Sequence, residues 1–280
     1  MAIITFLKEE EKPIGKTMST LAIATYMAME HNVRTLVVST DYNQKAVQRC
    51  FWEEEKPKKV NFGIFGPNTK TLDSENGMKG LEKIIKSNKI TPNLITDYTK
   101  VVFKERLEVL LGTENDDQED LAKAYPEVIA AANQYYDRVL IDLDDYVPES
   151  ARETILNMSD VIVLTLPQGL SKIEAFRQEK EKKENPLLES PKTVLLIGKY
   201  DKFSKYSIKN ITRYMGEKNK VSTIPYNTLF FEACEEAKVP DLFLKIRNVD
   251  DEDINGFFLS EVKRTSENIM YRLQDLAMKM

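Results

Sequence analysis

Apolar positions along the chain fall into short unbroken runs, each followed by a polar turn and then a longer stretch with helical spacing. Ile3 to Leu7, Thr35 to Val38, Val139 to Ile141, Val161 to Leu164 and Val194 to Ile197 are the clearest runs, and Val221 to Ile224 is a further one, closed by Pro225. Unbroken rather than alternating runs predict strands covered on both faces. Thr17 to Glu30, rich in Ala, Met, Leu and Ile, predicts the first long helix. Strands alternating with helices predict a doubly wound, mostly parallel α/β sheet with helices on both faces.

Between Phe51 and Gln134 the pattern is weaker. It predicts a helix over Met78 to Lys86, one strand at Leu107 to Leu111 and an acidic loop from Glu114 to Asp120, all within the same domain. Ile254 to Met280 predicts one or two helices, with Val262, Ile269, Leu273, Leu276 and Met280 on one face. That face is too weakly basic for a membrane-surface helix and is expected to pack against the domain or a partner. No repeats interrupt the pattern, and residues 1–280 are expected to form one domain.

Composition narrows the chemistry. The formal net charge is -5, with 30% of residues charged, which is not the balance of a protein built on phosphate-backbone binding. Cys50 and Cys234 are the two cysteines and fall in no metal-ligand spacing. His31 is the one histidine, so histidine-based catalysis and His-rich metal sites are effectively excluded. No signal peptide or membrane span is expected, which predicts a cytoplasmic protein.

Gly15-Lys16-Thr17 sits between the first strand and the first long helix. At such a junction, amides opening the helix can cradle phosphate, a lysine can reach the terminal phosphates, and a threonine hydroxyl can ligate magnesium. As an isolated tripeptide it reads equally as a surface turn. Asp41, just after the second strand, is a candidate for orienting an attacking water, although an aspartate there can also cap the next helix. Asp142 ends a buried apolar strand, a costly place for a carboxylate without a partner.

These segments together resemble the ParA/MinD superfamily of P-loop ATPases. The stretch Glu10-Glu11-Lys12-Pro13-Ile14-Gly15-Lys16-Thr17-Met18 is similar to the second half of that family's phosphate loop and departs from the first half. Glu10, Lys12 and Pro13 stand where the family has glycines, and Glu11 stands at its signature lysine. Pro13 offers no N–H, and the adjacent Glu9, Glu10 and Glu11 oppose a triphosphate, so weak binding, slow hydrolysis or both are expected. Val37 to Asp41, Tyr136 to Asp142, Ser159 to Pro167, Ile197 to Asp201 and Ile224 to Asn227 are similar to later family segments, in the family's order.

The resemblance implies ATP and magnesium as ligands. It implies Lys16 and Asp41 as catalytic residues, and Thr17, Asp41 and Asp142 around the metal. The loop residues Lys12, Pro13, Ile14, Gly15, Lys16, Thr17 and Met18, with Lys199, Pro225 and Tyr226 near the base, would hold the nucleotide. Gly198 stands where an Asn that reads the base is expected. Within the superfamily the chain most resembles the CpaE/TadZ group. That implies a homodimer that positions a pilus or secretion assembly, recruited to the cell pole or the inner face of the membrane. Two other readings stay open: a non-hydrolysing dimeric scaffold, and a ParA-type DNA-partition ATPase, against which the acidic balance argues.

Overall fold

The computed structural model describes residues 1–9, 12–40, 44–53, 77–87, 89–112, 118–183, 185–217 and 221–279. The chain opens with β1 (Ala2–Lys8), α1 (Lys16–Glu30), β2 (Thr35–Ser39), α2 (Gln44–Phe51) and α3 (Met78–Lys86). A 3₁₀ turn over Pro92–Asp97 leads into β3 (Lys100–Phe103), β4 (Leu107–Leu110), α4 (Gln118–Ala132) and β5 (Arg138–Asp142). Then come α5 (Glu149–Met158), β6 (Val161–Leu166), α6 (Leu170–Lys182), α7 (Pro186–Glu189) and β7 (Thr193–Tyr200). The chain closes with α8 (Ile208–Tyr214), β8 (Val221–Pro225), α9 (Thr228–Glu235), α10 (Val239–Ile246) and α11 (Ile254–Ala277).

Among the described residues the strands form one eight-stranded sheet in the order β3-β4-β2-β5-β1-β6-β7-β8. Every pairing is parallel except β3 with β4. The strand runs are unbroken because both faces are covered. Ile3 and Leu7 join one core cluster with residues of α3, α4, α5 and α6, while Ile4 and Phe6 join the other with residues of α1, α2, α9, α10 and α11. Phe6 is fully buried, and burying a side chain of that size contributes about 1.5–3 kcal/mol.

One expectation is corrected. Among its described residues, the segment between Phe51 and Gln134 supplies two strands rather than one, and β3 runs antiparallel at the sheet edge. Its strand is short and partly exposed, so it carries little apolar signal, and it turns into β4 through Glu105 at φ 61°. The expected helix at Met78 to Lys86 is α3, and the C-terminal segment forms the single helix α11. Val262 and Ile269 are fully buried and Leu273 and Leu276 pack beside them, so this helix closes its apolar face against its own domain. Met280 lies outside the described residues. Among the described residues, no helix is long and apolar enough to cross a membrane.

The pair Ser159-Asp160 has a structural task at the start of β6. The Asp160 carboxylate accepts the Ile3 amide at 2.8 Å, and the Ser159 hydroxyl shares a hydrogen bond with that of Thr5 at 2.7 Å. These bonds fix β1 against β6 at the end of the sheet opposite the phosphate loop.

Candidate phosphate-binding site

β1 lies at the centre of the sheet between β5 and β6, so the turn after it opens onto the carboxyl ends of its neighbours. In open parallel sheets that crevice is where ligands bind. Gly15 ends the turn at φ 90°, ψ 17°, a left-handed conformation that glycine takes without steric cost. It sits at the N-cap of α1 with no side-chain capping bond, and the first turn of α1 carries no acidic residue. The amides opening α1 are thus left without a capping side chain, and the dipole there favours an anion.

Lys16 and Thr17, the first two residues of α1, converge on Asp142 at the tip of β5. Lys16 Nζ lies 2.8 Å from Asp142 Oδ1 and donates to the Leu143 carbonyl at 2.7 Å. Thr17 Oγ1 donates to Asp142 Oδ2 at 2.8 Å. Asp142 is fully buried, and these contacts are what make a carboxylate tolerable there. Oδ1 has the ammonium close by but no contact with hydrogen-bond geometry, so it keeps acceptor capacity. A carboxylate beside a threonine hydroxyl is a pair of hard oxygen donors of the kind magnesium takes, and these residues fit that ion.

Thr40 ties the end of β2 to the same strand tip. Its amide and its hydroxyl both donate to the Asp142 carbonyl at 3.1 Å, and its hydroxyl accepts from the Asp144 amide at 2.8 Å. Asp41 is the next residue and lies outside the described residues, as do Glu10 and Glu11. Beyond Asp142, Asp145 meets Lys8 at 3.5 Å and Arg152 at 3.3 Å.

The end of β7 presses on the phosphate loop from the other side. A Cβ on Gly198 would stand 2.2 Å from the Ile14 carbonyl oxygen, so only glycine allows the loop to pass this close. Lys199 donates to the Pro13 carbonyl at 2.9 Å. Gln168 holds the following turn, accepting the Asp201 amide at 2.8 Å and donating to the Asp201 and Tyr206 carbonyls. The position where the resemblance implies a base-reading Asn is thus held by Gly198 and is the point at which β7 meets the loop.

Gly15, Met18, Lys199, Pro225 and Tyr226 do come together, with Ser19, Ile224, Asn227 and Phe230, around a cavity of about 20 Å³. Tyr226 is exposed and its amide donates to the Tyr200 carbonyl at 3.1 Å. Asn227 caps α9, accepting the Phe230 amide at 2.8 Å. Ile14 is buried under the loop, while Lys12 and Pro13 are exposed. Glu9 accepts a hydrogen bond from Asn185 at 2.8 Å. Two larger grooves, of about 730 and 760 Å³, flank α8 and are lined by none of the candidate site residues. Thr40, Leu143 and Gln168 escaped the sequence reading, because a backbone carbonyl or a staple between strands leaves no motif. Gly198 in place of an expected Asn was the one visible signal of the contact with β7.

Among solved structures, a ParA family ATPase from Chlorobium tepidum is similar over 97% of this chain and 98% of its own, with a TM-score of 0.63 and 13% identity. A putative plasmid partition protein from Borrelia burgdorferi, bound to AMPPNP, is similar over 98% of both chains, with a TM-score of 0.58 and 17% identity. The septum site-determining protein MinD from Pyrococcus horikoshii, complexed with Mg-ADP, is similar over 94% of this chain and 95% of its own, with a TM-score of 0.59 and 14% identity. No family model matches the sequence, and no curated protein matches it significantly. The eight-stranded sheet, the helices on both its faces and the glycine-lysine-threonine turn after its central strand give this chain the P-loop fold of the ParA and MinD ATPases.

Proposed function

We propose that the protein binds ATP with magnesium at the start of α1 and hydrolyses it slowly. In this reading it works as a homodimer that positions a pilus or secretion assembly. The observation that carries the nucleotide part is the convergence of Lys16 and Thr17 on the buried Asp142. Lys16 would exchange its carboxylate partner for phosphate oxygens, and the amides opening α1 would take the rest of the phosphate charge. Magnesium, when bound, would supply charge neutralisation on the phosphates, with Thr17 and Asp142 holding it. Asp41 would orient the attacking water. Two bound neighbours of the same fold, with AMPPNP and with Mg-ADP, support this choice of ligand.

Phosphoryl transfer asks a protein mainly for positioning and electrostatics, so a lysine, a metal and one placed carboxylate are sufficient chemistry. The altered first half of the loop accounts for the slow turnover. Pro13 has no amide to give, and the glycines that normally let a loop wrap a phosphate are missing. The test is calorimetric titration of the protein with magnesium and ATP beside a Lys16→Ala variant, together with phosphate release. Heat of binding that vanishes in the variant supports the proposal; no binding by either protein ends it.

A second reading, a non-hydrolysing dimeric scaffold that forms with or without nucleotide, is favoured by the 20 Å³ cavity at the base corner. Sedimentation of the protein with and without magnesium and ATP separates the two. A dimer that forms equally well in both conditions supports the scaffold. The positioning role rests on the resemblance of the sequence segments to the CpaE/TadZ group. It is tested by following a fluorescent fusion in cells whose pilus or secretion assembly is deleted: loss of a polar focus is the expected result.

A further inference from the structure

The contact between β7 and the phosphate loop does more than pack two segments together. Lys199 takes φ 49°, a left-handed conformation with no steric reward for a lysine. In that conformation its ammonium reaches the Pro13 carbonyl at 2.9 Å. Its stem lies across the N-cap of α1, with Cγ 3.0 Å and Cε 3.7 Å from where a Cβ of Gly15 would stand. The space left between this side chain and Tyr226 is about 20 Å³, room for a water and not for a base and ribose.

The same state leaves a polar atom unpaired beneath the loop. Thr165 Oγ1 on β6 is buried without a hydrogen-bond partner. Thr165 stands directly under the contact, its Cγ2 3.0 Å from where a Cβ of Gly198 would be. Buried polar groups are nearly always paired in a fully settled structure. The loop as held here therefore satisfies its own backbone through Lys199 while leaving the Thr165 hydroxyl beneath it without a partner. Lys199 is exposed, so its ammonium can exchange the carbonyl for water, at the modest net worth of one hydrogen bond.

We infer that Lys199 is a latch on the phosphate loop, a positioning residue whose bond to the Pro13 carbonyl keeps the nucleotide corner shut until it is released. The inference rests on the reading of this site as a nucleotide site and adds to it a residue that opposes binding. A direct nucleotide ligand and a latch differ in sign. Removing a ligand weakens binding, whereas removing a latch speeds and tightens it.

The test is stopped-flow binding of fluorescent methylanthraniloyl-ATP with magnesium to the wild type, Lys199→Met and Lys199→Arg, with a melting curve for each. Lys199→Met keeps the stem and loses the donor; Lys199→Arg keeps a donor. The latch predicts association faster and affinity tighter by about five-fold in Lys199→Met, the worth of one hydrogen bond, near-wild-type behaviour in Lys199→Arg, and little change in melting temperature. Weaker binding by Lys199→Met makes Lys199 a ligand and overturns the latch. Unchanged binding with a lower melting temperature makes it a packing residue and also overturns it. If the wild type and both variants fail to bind the probe, the nucleotide reading itself fails and the latch falls with it.

Discussion

Lys16 and Asp142 form an ion pair removed from solvent, with Nζ 2.8 Å from Oδ1 and the side chains 3% and 0% exposed. A buried pair of this kind is costly to make and costlier to break, because removing one partner strands the other charge. It links the first residue of a helix to the tip of the adjacent strand, and so joins stability to the candidate chemistry.

That linkage predicts non-additive stability. Lys16→Met alone and Asp142→Leu alone are each expected to lose about 3–5 kcal/mol, and the double variant to lose clearly less than their sum. Urea unfolding of the four proteins gives the coupling energy. Additive losses would show that the pair contributes nothing as a pair.

Thr17 has two duties that can be told apart. Its hydroxyl bonds to Asp142 Oδ2 in the structure and would face magnesium in the bound state. Thr17→Ala is expected to cost about 1–3 kcal/mol of stability and to abolish the difference between ATP binding with magnesium and with EDTA. Thr17→Ser should keep both properties. A magnesium effect that survives in Thr17→Ala would remove the hydroxyl from the metal site.

Gly198 is the tightest approach in the loop region. A methyl there meets the Ile14 carbonyl at 2.2 Å, so backbone rather than a flexible side chain has to give way. Gly198→Ala is expected to destabilise the protein by about 1–3 kcal/mol and to weaken nucleotide binding by displacing the loop. Thermal melts and titration of the same samples check both. A variant that melts like the wild type would mean the loop is free to stand off β7.

Cys234 should be quiet. The Cys234 thiol is pushed far above its ordinary range, first by its hydrogen bond with Cys50 and then by burial, and both residues are buried. The thiolate is the reactive form, and a raised thiol remains protonated where a free one ionises. Alkylation of Cys234 in the native protein by iodoacetamide is therefore expected to be slow and to gain little between pH 7 and about 9, while the same residue in the urea-unfolded chain shows the normal rise. Rapid labelling of Cys234 in the folded protein would contradict the packing of α2 on α9.

Much of the fold can be read in the chain because burial on both faces forces a particular pattern. The runs beginning at Ile3, Thr35, Val139, Val161, Val194 and Val221 are strands, and the helix opening at Lys16 starts one residue from where the pattern put it. β3 escaped because an edge strand is half solvated and has no need of an unbroken apolar run. Part of the site was legible for a similar reason. A carboxylate ending a buried strand demands a partner, and Asp142 has one in Lys16.

What the sequence determined by itself is the layered parallel sheet and the position of the Gly15-Lys16-Thr17 turn after its first strand, since both follow from local patterning and chain connectivity. Only the tertiary structure decided that Lys16 and Thr17 share one carboxylate. It alone showed that Thr40 staples β2 to β5, and that β7 lies hard against the loop through Gly198 and Lys199. Those contacts join residues more than a hundred positions apart in the chain, and their geometry is set by strand order and register, which no local pattern encodes.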